Sequence, residues 1–575
     1  MLLFLALYSH IPATAEQAKT KPESHTSART SGQGQLQRKV IQASQLMRAI
    51  RSGSPVSLSH AVIHGRLDLS YRVIEQQVSL ADCDFEEEPD FSYSAFKKHL
   101  VLEGSTFRKG ATFQSTIVSL NANLKDTSFL GGELFLQDLQ VHGHLNMRNT
   151  QLASGVTLQA GNMHIDKAAD FSNAVFGANT DLSGMEILAD LFFTRAKFQK
   201  GLILTAAKIA SALFLTGARF QGPAQFPGMH VAYNVKAEGA VFENVANFTD
   251  AQIGSFIDLR GARFEFTHTP AQFTRATVAA GGFFNDVQFV GGGKFDGAHF
   301  IADAGFDDVV FERPASFYRA RFDQSAHFEH TLFKENVSFQ ETSFGSLDLS
   351  PDGRVNGHDQ FGGLVDLLGC TYDRVQVRWQ SLLTMRDGKS RLMGVDKQPY
   401  FQLHKTYEAA GDDVEANQVL LQWHRVQRQD LFHTAKWRWL IDCAPWFTTN
   451  YGVAPGRLLD LSALLLFFGM LVFSRPGAVL ASSNSHKTVS ESGVRLRHWD
   501  ALAVSFHLFL PLEVPFGSEW SPATDPVVLR FGQRGKRLTI FRMRPSVYAT
   551  ILKISGYILV PLEILVLTGF LRPGS

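Results

Sequence analysis

From residue 63 to residue 344 the large apolar residues keep a fixed beat. Its clearest run is Phe284, Phe289, Phe295, Phe300, Phe306, Phe311, Phe317, Phe322, Phe328, Phe333, Phe339 and Phe344, at alternating intervals of five and six residues. The same beat runs earlier through Ile63, Leu69, Ile74, Leu80, Phe85, Phe91, Phe96, Leu102, Phe107, Phe113, Val118, Leu124, Phe129 and Phe135, and after a blurred section it resumes at Phe171. Most rungs from there on carry a small residue two positions earlier, as in Ala174-Val175-Phe176 and Ala326-His327-Phe328. A period of 11 split in this way matches neither a helical face nor strand alternation. It could describe a right-handed coiled coil, but Gly, Asn, Asp, Phe and β-branched residues are poor helix-interior formers. The pattern therefore predicts a solenoid. Each five- or six-residue unit makes one side, four sides make a coil of two periods, and each rung points inward onto its equivalent in the next coil. At roughly 4.8 Å per coil the run extends on the order of 60 Å, and both open ends need caps.

Units such as Ala196-Lys197-Phe198-Gln199-Lys200-Gly201 and Ala320-Arg321-Phe322-Asp323 resemble those of the pentapeptide-repeat proteins, whose repeats carry a central Leu or Phe with Ala two before it. The resemblance implies a right-handed quadrilateral β-helix, so the fold class is mainly β, followed by a small helical module and a C-terminal two-helix transmembrane region. It implies little about function, because the repeat specifies the rod and leaves its surface free. Two places lose the beat. Phe264 to Phe273 takes nine residues and contains Pro270, and the 36 residues from Phe135 to Phe171 exceed three periods by three. Both read as insertions that protrude as loops.

The flanks divide into further segments. Residues 1–15 have a short apolar run followed by Ala13-Thr14-Ala15, read as an export signal, and residues 16–40 form a polar linker without a core. The solenoid with its N-terminal capping helix occupies 41–350, the helix lying at Ser44 to Ile50 and ending at Gly53. Asp348-Leu349-Ser350-Pro351 ends the ladder, and residues 361–377 read as one last irregular coil. Residues 351–430 turn helical, with two helices joined at Gly411, a C-cap, and Asp412 or Asp413 capping the second. Such a module suits a packing cap or a protein-binding patch. In 431–455, Trp437, Trp439, Trp446 and Phe447 beside Lys436 and Arg438 suit a helix in the headgroup region of a membrane.

Residues 456–475 read as a first transmembrane helix and 547–575 as a second with a tail; the second run includes Lys553, Pro561 and Glu563. Between them, residues 476–546 form a basic loop. Its apolar segment from Trp499 to Pro511 is too short to cross and reads as re-entrant or interfacial. This region resembles the bacterial membrane proteins that join pentapeptide repeats to a two-span, pore-helix-like module related to simple ion channels, and Tyr451-Gly452-Val453-Ala454-Pro455-Gly456-Arg457 fits that lead-in. No Thr-Val-Gly-Tyr-Gly-like filter is present, so potassium selectivity does not carry over. Ten Lys and Arg against five acids over 475–544 place that loop in the cytoplasm. The solenoid is then expected outside, in the periplasm of a bacterial inner-membrane protein.

Charge sharpens this picture. Residues 62–350 hold 23 Lys and Arg against 33 Asp and Glu, whereas the whole chain carries +1, so an acidic rod is joined to basic flanks. Mimicry of a nucleic-acid duplex would need an acidic rod in the cytosol; for an exported or tethered one, no nucleic-acid partner is expected. Cys83, Cys370 and Cys443 are scattered and name neither a disulfide framework nor a metal site. No catalytic constellation stands out, and neither cofactor nor enzymatic activity is expected. Gly291-Gly292-Gly293-Lys294 lacks the spacing of a phosphate loop, while His142, His144, His327 and His330 read as solvated side chains. Asn247-Phe248-Thr249 and Asn336-Val337-Ser338 match a glycosylation sequon but lie inside rungs. Only Glu563, a carboxylate among apolar neighbours, demands an account. Two functions follow: a membrane-anchored scaffold whose solenoid engages a protein partner, or an oligomeric, ion-channel-like membrane protein with the solenoid as its extramembrane domain.

Overall fold

A computed structural model describes residues 38–481, 495–512, 514, 516–531 and 538–568. The expected export signal and nearly all of the polar linker lie outside the described residues, as does part of the basic loop. The chain divides into two units, Met1–Lys39 and Val40–Ser575. Of the first only residues 38 and 39 are described; the solenoid and every helix belong to the second.

The solenoid has about fourteen turns of parallel β-structure. Partners in regular coils are 22 residues apart, as in Val56 opposite Val78 and Phe311 opposite Phe333, so each coil uses two of the 11-residue periods. Four ladders result, and each carries its own stack of inward rings. Phe284 stacks on Phe306 at 4.6 Å, Phe289 on Phe311 at 4.8 Å, Phe295 on Phe317 at 4.9 Å and Phe300 on Phe322 at 5.1 Å. Rings of different sides meet edge to face, as Phe284 does with Phe295 at 86°, an arrangement that suits the aromatic quadrupole. All twelve phenylalanines from Phe284 to Phe344 are buried, and so are Ala298, Ala304, Ala320 and Ala326 between them.

The alternation of five and six has a backbone cause. Two positions after every second rung the chain turns through a left-handed residue, as at Asp286, Gly297, Asp308, Arg319, His330 and Glu341. That tight corner completes the five-residue step. Gly, Asn and Asp recur there because they tolerate positive φ best.

The blurred section is a register change. From rung to rung, one corner of the coil takes six residues at Phe107–Phe113, seven at Phe129–Leu136, eight at Leu152–Ala160 and six again at Phe176–Leu182. The three surplus residues are therefore spread over two successive coils and do not form one loop. The first extra residue flips the following strand by one, since side chains alternate faces along a strand. Leu136 therefore takes the inward place expected of Phe135: Thr112 lies opposite Phe135, and Leu136 is buried while Phe135 is only half-buried. The wall also breaks here. The Thr157–Gln159 strand pairs back to Glu133–Phe135 but not forward to Thr180–Asp181, leaving an open cleft of about 580 Å³ lined by Gln159, Asn179, Asp181 and Lys200. The second insertion, residues 265–270, folds back on the next coil, where a Cβ on Gly291 would lie 2.2 Å from the Phe266 carbonyl oxygen.

Both ends are closed. Helix α1 (Ala43–Arg51) lays Leu46 and Ile50 on the first coil, and Gln76 Nε2 donates to the Ile50 carbonyl at 2.7 Å. At the other end the ladder continues past residue 350. After a hairpin, Phe361 stacks on Phe333 at 5.4 Å, and Thr371–Gln376 pairs with Ser343–Leu349. Arg391 is buried against this last coil, donating to the Phe361 carbonyl and to Asp359. Helices α2 (Trp379–Leu383), α3 (Gln398–Ala409) and α4 (Asp413–Thr434) cover it, and Tyr400, Leu403 and Val419 belong to the solenoid's own core. Gly411 turns between α3 and α4 at φ +80°, and Asp412 accepts from the Glu415 N–H at 3.2 Å as the cap of α4. The Tyr407 hydroxyl donates to the Val377 carbonyl at 2.5 Å, and burial pushes its pKa up to about 12.

Helix α5 (Lys436–Thr448) buries none of its residues; Trp437, Leu440, Ile441, Trp446 and Phe447 are all exposed. Three more helices follow, α6 (Gly456–Phe473), α7 (His498–Phe509) and α8 (Pro545–Leu567), with two short antiparallel strand pairs between them. They share a second core, separate from that of the solenoid.

Candidate site at the three-helix unit

Helices α6 and α8 are long and apolar enough to cross a membrane, and only about a third of their apolar windows is buried. Leu464, Phe467, Ile554, Ile558 and Ile564 face outward. The two helices run antiparallel. Tyr548, at the start of α8, packs on Phe468 and donates to the Leu465 carbonyl at 2.6 Å. Near the end of α8, Glu563 accepts from the Ser462 hydroxyl at 2.5 Å, in the second turn of α6. Glu563 is half-buried at this helix–helix contact, which answers a carboxylate's need for a donor in an apolar setting. Asp460 and Lys553 are exposed.

Two close approaches seat α7. A Cβ on Gly469 of α6 would lie 2.5 Å from Ser505 Oγ, and one on Gly556 of α8 would lie 1.6 Å from the Phe509 carbonyl oxygen. At Gly556 only glycine lets the two backbones come this near, and at Gly469 it leaves room for the Ser505 side chain. After α7 the chain turns back: Gly517, at φ +84°, lies over the Ala503 carbonyl, and His507 Nδ1 is 3.2 Å from the Val514 carbonyl oxygen. Trp520–Pro522 then pairs with Val479–Ala481, which follows directly on α6, and the Ser546 N–H donates to the Ala523 carbonyl where α8 begins. A short helix and its return thus pack against α6 and α8 and end beside the C-terminus of α6.

The lead-in carries its own network. Tyr451 stacks on His424 at 3.8 Å and donates to Asp442 at 2.6 Å. Burial first, then the Asp442 carboxylate, raises the Tyr451 phenol; burial lowers His424.

On the solenoid the histidines have carboxylate partners: His142 with Asp166 at 2.8 Å, His327 with Asp348 at 2.9 Å and His330 with Asp308 at 3.8 Å, while His144 is exposed. Among the described residues no group of three or more His, Cys, Asp or Glu could hold a metal. Cys83 and Cys370 are buried and Cys443 is half-buried. Gly293 is kept small by the Phe311 and Phe295 rings, 2.8 and 2.9 Å from where its Cβ would stand. Asn247 and Asn336 spend their side-chain oxygens on the Thr249 and Leu364 N–H groups.

An outward aromatic row on the solenoid escapes the rung pattern. Phe192 and Phe214 stack outward at 4.7 Å, Lys236 lies over Phe214 and over Phe256, and Arg260 lies over Phe283. The sequence signal is a second aromatic beside a rung, as in Phe192-Phe193 and Phe283-Phe284; Phe192 and Phe214 stand one coil apart, and Lys236 and Asp258 fill the two coils between Phe214 and Phe283. Near the N-terminal end, Tyr71 and Tyr93 stack at 4.8 Å with both rings exposed.

Residues 306–350 match the family model of pentapeptide repeats, in nine copies. No curated protein and no solved structure matches the chain.

Proposed function

We propose that this protein is a membrane-anchored pentapeptide-repeat scaffold, without enzymatic activity, whose solenoid surface engages a protein partner. The observation that carries the reading is the contrast between its two cores. The solenoid's inward rungs and the inner faces of α1–α4 are buried in one continuous core and leave only scattered apolar side chains exposed, whereas α6 and α8 turn apolar faces outward with only about a third of each window buried. Water disfavours such faces and a bilayer does not. The outward row of Phe192, Phe214, Phe256 and Phe283, flanked by Lys236 and Arg260, is the patch on the acidic solenoid best suited to a partner, since aromatic and arginine side chains concentrate at interface hot spots. The reading places the solenoid in the periplasm of a bacterial inner-membrane protein. The protein should remain in the pellet after carbonate extraction, and protease should reach its solenoid in spheroplasts but not in intact cells. A photo-crosslinker at Phe214 or Phe283 should yield one discrete adduct that is absent when the probe sits at Lys98. A protein that leaves the membrane in carbonate would defeat the anchoring.

A second reading is an oligomeric, ion-channel-like assembly. It is favoured by α7 and its return, which pack against both long helices at their close approaches, and by the Ser462–Glu563 pair between α6 and α8. Two spans cannot enclose a pathway, so this reading requires oligomers of defined size in detergent. It also requires Glu563→Gln to abolish ion flux while leaving the oligomer intact. Unchanged flux in that variant removes its residue-level support.

A further inference from the structure

Between α4 and α5 lies a pocket of about 280 Å³ lined by Arg425, Arg428, Gln429, Phe432, His433 and Trp439. Among the described residues neither guanidinium is joined to a carboxylate: Arg425 donates to Gln422 Oε1 at 3.3 Å and Arg428 to the Tyr451 hydroxyl at 3.2 Å. Asp442, the acid of the same network, accepts from Tyr451 at 2.6 Å. Residues 425–457 hold five Lys and Arg against two Asp. One wall of the pocket is α5 itself, through Trp439, and α5 exposes Trp437, Leu440, Ile441, Trp446 and Phe447. Eight residues beyond the end of α5 the chain enters α6.

We propose that this pocket binds the phosphate of an anionic phospholipid headgroup, with the acyl chains lying along the exposed face of α5. Guanidinium forks match a phosphate's oxygens better than any other side chain. The aromatic walls, Phe432 and Trp439, suit the boundary where headgroup meets acyl chain. A free phosphate would satisfy the arginines but would leave the apolar face beside them uncovered. The inference rests on membrane anchoring through α6 and α8, and it adds a lipid class and the residues that select it.

The test uses the full-length protein, extracted in mild detergent and examined by native mass spectrometry with added phosphatidylglycerol or phosphatidylcholine. Wild type should retain phosphatidylglycerol preferentially. Arg425→Gln alone should weaken retention roughly fivefold, and the Arg425→Gln/Arg428→Gln pair by more. The Lys436→Gln/Arg438→Gln pair, outside the pocket, should weaken retention clearly less than the Arg425→Gln/Arg428→Gln pair does. Among the described residues Arg425 bonds only to Gln422, so the single variant reports on the pocket even where loss of the Arg428–Tyr451 bond disturbs folding. Equal retention of the two lipids, equal loss in both double variants, or competition by millimolar inorganic phosphate as effective as that by the lipid would overturn the proposal. A protein that sediments with membranes yet shows no headgroup preference defeats this inference alone; one that does not sediment defeats the anchoring beneath it.

Discussion

Phe306 stacks on Phe284 at 4.6 Å and on Phe328 at 4.9 Å, and meets Phe295 and Phe317 edge to face. Phe306→Ala should therefore leave a cavity and cost about 3–5 kcal/mol, measurable by denaturant unfolding. Its neighbour Asp308 is exposed but stands at φ +58°. Asp308→Ala should cost about 1 kcal/mol through the left-handed backbone, whereas Asp308→Gly should fall within about 0.5 kcal/mol of wild type. Equal losses at 306 and 308 would contradict the inward stacking. Asp307 makes a pH prediction. Burial raises its pKa, although it accepts from the Glu329 N–H and from Asn285, both at 3.0 Å. A carboxyl whose folded pKa is raised costs nothing below its unfolded value. The cost appears as pH rises through the interval up to the folded value, and is complete above it. Asp307→Asn should therefore melt above wild type at neutral pH, with the gap closing as pH falls below the ordinary carboxylate range.

At the scale of elements, the three-helix unit depends on two glycines more than on any large side chain. A methyl at Gly556 would meet the Phe509 carbonyl at the end of α7, and that backbone cannot rotate away as a side chain could. Gly556→Ala should displace α7 and lower the thermal stability of the detergent-extracted protein, at a cost of about 1–3 kcal/mol or more. Gly456→Ala, where nothing lies within 4 Å, should be silent. A wild-type melting curve for Gly556→Ala would mean that α7 is not seated there. The same reasoning explains the solenoid's irregular corners. One or two added residues lengthen a corner while the rung before it keeps its partners, as Leu152 does between Phe129 and Phe176, and the disturbance falls on the wall beyond, which opens between Thr157–Gln159 and Thr180–Asp181.

For the whole molecule, the helical module and the solenoid form one core, while α6–α8 form another. A chain ending at Thr434 should be soluble without detergent and should unfold cooperatively. One ending at residue 377 should lose stability and aggregate, because the last coil would present an open edge. Comparing the two by size-exclusion chromatography and thermal melting checks this. The rung spacing, together with a content of Gly, Asn, Asp and β-branched residues that disfavours an 11-residue helical repeat, determined by itself that the chain is a solenoid. It is composition and length, both local properties, that marked the two apolar helices. The left-handed corners behind the five–six split are barely legible, because Arg319, His330 and Glu341 occupy them as well as glycine, asparagine and aspartate. Which residue is inward after an insertion was decided only in three dimensions. A single extra corner residue exchanges Phe135 for Leu136, and nothing in the local sequence says where that residue is absorbed. The Ser462–Glu563 bond and the pocket between Arg425, Arg428 and Trp439 likewise exist only in the tertiary structure, because they join residues whose nearness depends on how helices pack and not on any spacing along the chain.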